Sequence, residues 1–107
     1  MMKRFSAIAV LAVAGAAGLF AADAAAGGAL YEKSCKGCHG ADGTPNPAIV
    51  NMMKVAIPDL KSAEVQALSD DDLKGIVTNG KGKMRPVKTV AGAAQDDVVA
   101  FVRSLKK

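Results

Sequence analysis

Gly28-Ala29-Leu30-Tyr31-Glu32-Lys33-Ser34-Cys35-Lys36-Gly37-Cys38-His39-Gly40 is the stretch on which the fold turns. Its first part reads as a short helix over residues 28–36, with Leu30, Tyr31 and Ser34 on one face at i+3 and i+4 spacing. Its second part holds the chain's two cysteines and its one histidine, arranged as C-x-x-C-H. That arrangement is the attachment signature for c-type haem. Two thiols spaced over one helical turn reach the two vinyl groups on one edge of a porphyrin. The adjacent imidazole then lies under the iron and donates a ring nitrogen. Three other readings compete. A structural zinc site needs about four ligands, and only Cys35, Cys38 and His39 are of the right type. A thioredoxin-like dithiol needs strands around the motif, and no segment alternates as a half-buried strand does. A plain disulfide leaves the rest of the chain's design unexplained.

Upstream, Lys3 and Arg4 precede an uncharged run from Phe5 to Ala22, and Ala22-Asp23-Ala24 and Ala24-Ala25-Ala26 follow as A-x-A cleavage sites. Residues 1–26 therefore read as a secretory leader, cleaved after Ala24 or Ala26. The run is short and diluted with Ala and Gly for a span of about 20 apolar residues, which argues against a retained anchor. An exported, periplasmic location suits the motif, because covalent haem attachment in bacteria takes place outside the cytoplasm. Residues 27–107 remain as one domain. That part has no Trp, and its aromatics are Tyr31 and Phe101. So small a domain with so few large side chains needs apolar volume from elsewhere, and a haem supplies it.

Downstream, residues 40–59 read as loop, holding Gly40, Gly43, Pro45, Pro47 and Pro58. Residues 63–68 read as one or two helical turns. Ser69 starts a helix with Asp70, Asp71 and Asp72 at its positive end and Asn79-Gly80 at its close. Residues 81–92 read as loop around Met84. A last helix from about Ala93 carries Val98, Phe101, Val102 and Leu105 at i, i+3, i+4, i+7. The predicted fold class is all-α, with three to five short helices. Loops this long argue against a compact domain unless they wrap a ligand.

No second histidine exists to ligate the far side of a haem iron. The soft donors left are Met52, Met53 and Met84. Met84 stands in a polar, Gly-rich stretch that has no need of a core residue. Gly80 and Gly82 let its backbone approach a flat cofactor, and Pro86 stiffens the exit. Met84 is the expected distal ligand, and Met52 and Met53 are expected to pack against the haem face or edge.

Residues 28–40 resemble the N-terminal helix and haem-binding segment of class I, single-haem cytochromes c. Asn79-Gly80-Lys81-Gly82-Lys83-Met84-Arg85-Pro86 resembles that family's distal-ligand loop, and residues 98–105 resemble its closing helix. The family loop often reads Met-Pro, whereas Arg85 intervenes here. The resemblance implies a small cytochrome c fold around one covalent haem c, held by Cys35 and Cys38 and ligated by His39 and Met84. It also implies that a proline carbonyl after the motif orients the His39 ring, with Pro47 the first candidate and Pro45 the second.

With both axial positions filled, the expected activity is one-electron transfer rather than catalysis. Residues 27–107 hold twelve basic and nine acidic side chains, too even a balance for a nucleic-acid binder. Placement matters more. Lys36 lies in the haem motif, and Lys81, Lys83, Arg85 and Lys88 surround Met84, so a basic rim facing acidic redox partners is expected. The alternatives are a haem sensor or small peroxidase with a labile Met bond, and a non-haem thiol oxidoreductase.

Overall fold

The computed structural model describes residues 22–106. Most of the expected leader lies outside the described residues. Six helices follow in order: α1 (Ala24–Ser34), α2 (Lys36–His39), α3 (Pro47–Met53), α4 (Ala63–Gln66), α5 (Asp70–Asn79) and α6 (Ala93–Ser104). The all-α expectation holds among these residues, with α2 and α4 only one turn long.

Two contacts set the frame. The first is α1 lying along α6. Gly27 is buried there, and a Cβ on it would overlap the backbone carbonyl of Asp97. Helix α1 thus approaches α6 at backbone distance only because residue 27 has no side chain. One residue on, Gly28 leaves room for the Phe101 ring. That ring sits 4.8 Å from the Tyr31 ring, tilted by 42°, a favourable offset geometry. The start of α1 is fixed by Asp23, whose carboxylate accepts the Ala25 and Ala26 amides and whose own N–H donates to Asp97 Oδ1 at 2.8 Å. The helix therefore begins three residues before residue 27, the expected start of the domain.

The second contact is α5 against α6. Ser69 accepts the Asp72 amide, and Gly80 closes α5 at a φ of 77°, as the sequence implies. Val77 of α5 and Val98 of α6 meet Val90, with Leu30, Val87 and Ala94 packed around them. Lys74 Nζ pairs with Asp96 at 2.8 Å across the two helices. Arg103 of α6 reaches back to the end of α4. Its guanidinium donates to the carbonyls of Gln66 and Leu68 at 2.8 and 2.6 Å and pairs with Asp70.

The buried apolar core among the described residues is Tyr31, Val65, Val77, Val90, Val98, Val99 and Val102. All but one are valines, too small to fill the space between the helices, and all but Val90 also wall a cavity. The core is therefore built around a hollow.

Helix α3 is the departure from the sequence reading, which has loop there. Asn46 caps it through the Ala48 amide at 3.0 Å, and Pro47 takes the first helical position. Both signals stand in the sequence.

Replacing Gly27 with Ala forces α1 and α6 apart, at a cost of about 1–3 kcal/mol for overpacking. That outweighs the roughly 0.5–1 kcal/mol that a helical Gly normally forfeits to Ala. Gly75 lies mid-helix in α5, with nothing within 4 Å of its Cβ position. Thermal melts of the two variants should move in opposite directions, Gly27→Ala down and Gly75→Ala up.

Candidate functional site

A cavity of about 1120 Å³ lies between the haem motif, α5, α6 and the loop around residue 84. That is slightly above the range of about 300–1,000 Å³ usual for cofactor sites. On one wall, α2 makes a single helical turn: the Cys38 and His39 amides donate to the Cys35 carbonyl at 3.2 and 2.9 Å. This turn brings Cys35, Cys38 and His39 to the cavity together. Both thiols are free. Burial, and then a charge on Cys38, pushes the Cys35 thiol above its ordinary range. Burial lowers the pKa of His39, which keeps its ring neutral, the form that can bind a metal.

Two residues fix this turn in space. The Tyr31 hydroxyl donates to the Gly40 carbonyl at 2.6 Å, just past the histidine. Burial, then the Cys35 charge, pushes its phenol up to about 12. Asn46 grips the other side: its N–H donates to the Cys38 carbonyl at 2.9 Å and its Nδ2 to the Gly37 carbonyl at 3.0 Å. Neither is among the expected site residues. The aromatic in the helix face and the Asn-Pro cap were the signals available.

The loop after α5 lines the same cavity. Reciprocal backbone bonds between Lys81 and Met84, at 3.0 and 2.9 Å, close a tight turn with Gly82 at a φ of 58°. The Val87 amide then ties the loop to the Val77 carbonyl at 2.8 Å. Met84 lines the cavity half-buried, and Met53 joins it from α3. Met52 is 70% exposed and lies off the cavity.

The basic residues divide. Lys81, Lys83, Arg85 and Lys88 are exposed and line the cavity, so they stand at its mouth. Glu64 is the one acid among the lining side chains. Lys36 is exposed too, but it lines a separate small cleft with Glu32 and Phe101.

Nδ1 of His39 is buried and has no hydrogen-bond partner among the described residues, so neither Pro47 nor Pro45 accepts from it. Pro47 opens α3, and a carbonyl at that position points along the helix axis.

A hollow walled by valines and lined by two cysteines, a neutral histidine and a methionine fits a tetrapyrrole with a soft-ligated iron. Residues 22–102 match the model of a protein family described as cytochrome c oxidase, cbb3-type, subunit III. A solved structure of the KustC0563 c-type cytochrome is 32% identical to the chain, with a TM-score of 0.63 over 76% of this chain and 98% of that one. The chain belongs to the class I c-type cytochromes. No curated protein matches it. The cytochrome is thus a haem-binding electron carrier by family, and its fold is the small all-α one expected from residues 28–40. No helix among its described residues is long and apolar enough to cross a membrane.

Tyr31→Phe removes the donor to Gly40 without changing the ring packing. It should lower stability by about 0.5–1.5 kcal/mol at neutral pH. The wild-type phenol titrates higher folded than unfolded, so its contribution is complete below pH 10 and is lost as pH rises toward about 12. Denaturant melts across that range should fall more steeply for the parent than for Tyr31→Phe.

Proposed function

We propose that the chain is a soluble, exported monohaem cytochrome that passes single electrons between redox proteins. Cys35 and Cys38 form the two thioethers, His39 is the proximal ligand and Met84 the distal one. One observation carries this reading: a single cavity is lined by both thiols, the one imidazole and the Met84 side chain. The haem supplies a ferric/ferrous couple, and thioether ligation with burial favours its ferrous form.

The chain's own part is to hold and shield. The α2 turn presents the thiols and imidazole together. The Lys81–Met84 turn holds the thioether on the facing wall. Val65, Val77, Val98, Val99 and Val102 keep water out and the local dielectric low. At the mouth, Lys81, Arg85 and Lys88 face solvent and favour partners with acidic surfaces. Lys36 stands outside this rim and serves such docking only at its margin. Residues 1–26 act as the leader that delivers the chain to the periplasm. Cleavage after Ala24 or Ala26 removes Asp23 and its cap on α1, worth about 0.5–2 kcal/mol.

Protein secreted from a bacterial host able to attach haem c should be red, and its band on a denaturing gel should stain for haem. Colourless protein rejects the haem reading. The ferrous form should not bind CO at neutral pH, whereas rapid binding indicates a sensor or peroxidase with an open iron. Met84→Ala should abolish the ferric charge-transfer band at the red end of the spectrum. Lys88→Glu should slow electron exchange with an acidic partner several-fold at low salt, an effect that shrinks as ionic strength rises. Exchange indifferent to salt excludes steering by this rim.

A further inference from the structure

Helix α3 is tied at its two ends to two segments that line the cavity, the haem motif and the loop of Met84. At its N-terminus, Asn46 caps the helix through Oδ1, while its Nδ2 and backbone N–H bind the Gly37 and Cys38 carbonyls of the haem motif at 3.0 and 2.9 Å. At its C-terminus, the Met53 carbonyl accepts the Lys83 ammonium at 3.0 Å. A cation suits that end of a helix, where carbonyls lack partners. Lys83 is the residue next to Met84, within the turn that the Lys81–Met84 bonds close. Lys54 follows at a left-handed φ of 54°, which turns the chain sharply away after Met53. The haem motif, Asn46, α3, Lys83 and Met84 thus form one connected path from the motif to the Met84 loop.

We propose that α3 is a strap across the cavity mouth, and that Lys83 is a positioning residue whose bond to Met53 holds the Met84 loop against the iron. This reassigns Lys83, expected from the sequence to be a docking lysine: its ammonium is already engaged within the fold. The inference rests on Met84 being the distal ligand. With either end of the strap released, the loop swings out more often and the thioether leaves the iron more often.

The test uses the ferric holoprotein and imidazole as a competing ligand. At saturating imidazole, the binding rate is limited by how fast Met84 dissociates. Lys83→Met should raise that limiting rate about tenfold, in line with losing one bond from a charged donor. Lys83→Arg keeps a donor and should restore the parent rate. Asn46→Asp keeps the Oδ1 cap but loses the Nδ2 bond to Gly37, and should raise the rate similarly. The double variant should be no faster than the faster single one, because one released end already frees the strap. Lys83→Met should also lose the red charge-transfer band on heating well below the temperature at which its helical signal melts, a split that general destabilisation does not produce.

A parent-like imidazole rate in Lys83→Met overturns the strap, and so do single-variant effects that multiply. If Asn46→Asp fails to mature, the Lys83→Met and Lys83→Arg pair decides by itself. Met84→Ala separates the two readings: if it keeps the band, the ligand assignment fails. If it loses the band while Lys83→Met behaves as the parent, only the strap fails.

Discussion

The cavity is the constraint on which the rest of the molecule depends. Apart from one tyrosine, the buried apolar side chains among the described residues are valines, and nearly all of them line the hollow. Such walls contribute little by contact among themselves, because dispersion and burial need filled volume. Two features hold the helices in place around it. Gly27 lets α1 and α6 approach at backbone distance. Polar ties from Arg103, Lys74 and Gln66 brace the outside. A flat apolar cofactor completes this design, adding the volume that the valines leave out.

The same hollow organises the chemistry. One helical turn collects the thiols and the imidazole because C-x-x-C-H places all three within reach of one face. The loop around Met84 is governed instead by backbone: two left-handed glycines, a pair of reciprocal amide bonds and one amide bond to α5. The motif and Met84 thus sit on separate elements, one a helical turn and the other a loop. Helix α3 joins them, which is why its two end contacts matter more than its length of seven residues implies.

Some of this was legible in the residues and some was not. The capping Ser69, the closing Gly80 and the stripe in α6 read correctly because each is a local signal acting within one or two turns. Helix α3 was missed because Pro45, Pro47 and the surrounding Gly residues read as loop, although Asn46-Pro47 is also a cap followed by a first-turn proline. Pro47 leaves His39 Nδ1 without a partner in this structure for a related reason. A residue at the start of a helix has its carbonyl committed along that helix. Lys83 illustrates a different limit: its charge was visible, but its partner is a backbone carbonyl 30 residues away.

The sequence by itself determined the family and the all-α class, and it singled out the two thiols, the imidazole and one thioether as candidate donors. Those follow from residue chemistry and short spacings, which need no knowledge of neighbours. Only the tertiary structure decided that the valines wall one cavity, that Tyr31 and Asn46 clamp the haem motif, and that the basic side chains divide. Lys36 lies apart in its own cleft, Lys83 is engaged within the fold, and Lys81, Arg85 and Lys88 stand at the mouth. Each of these depends on which distant backbone group a side chain meets, and that is set by the crossing of α1 with α6 and the path of α3 rather than by any local run of residues.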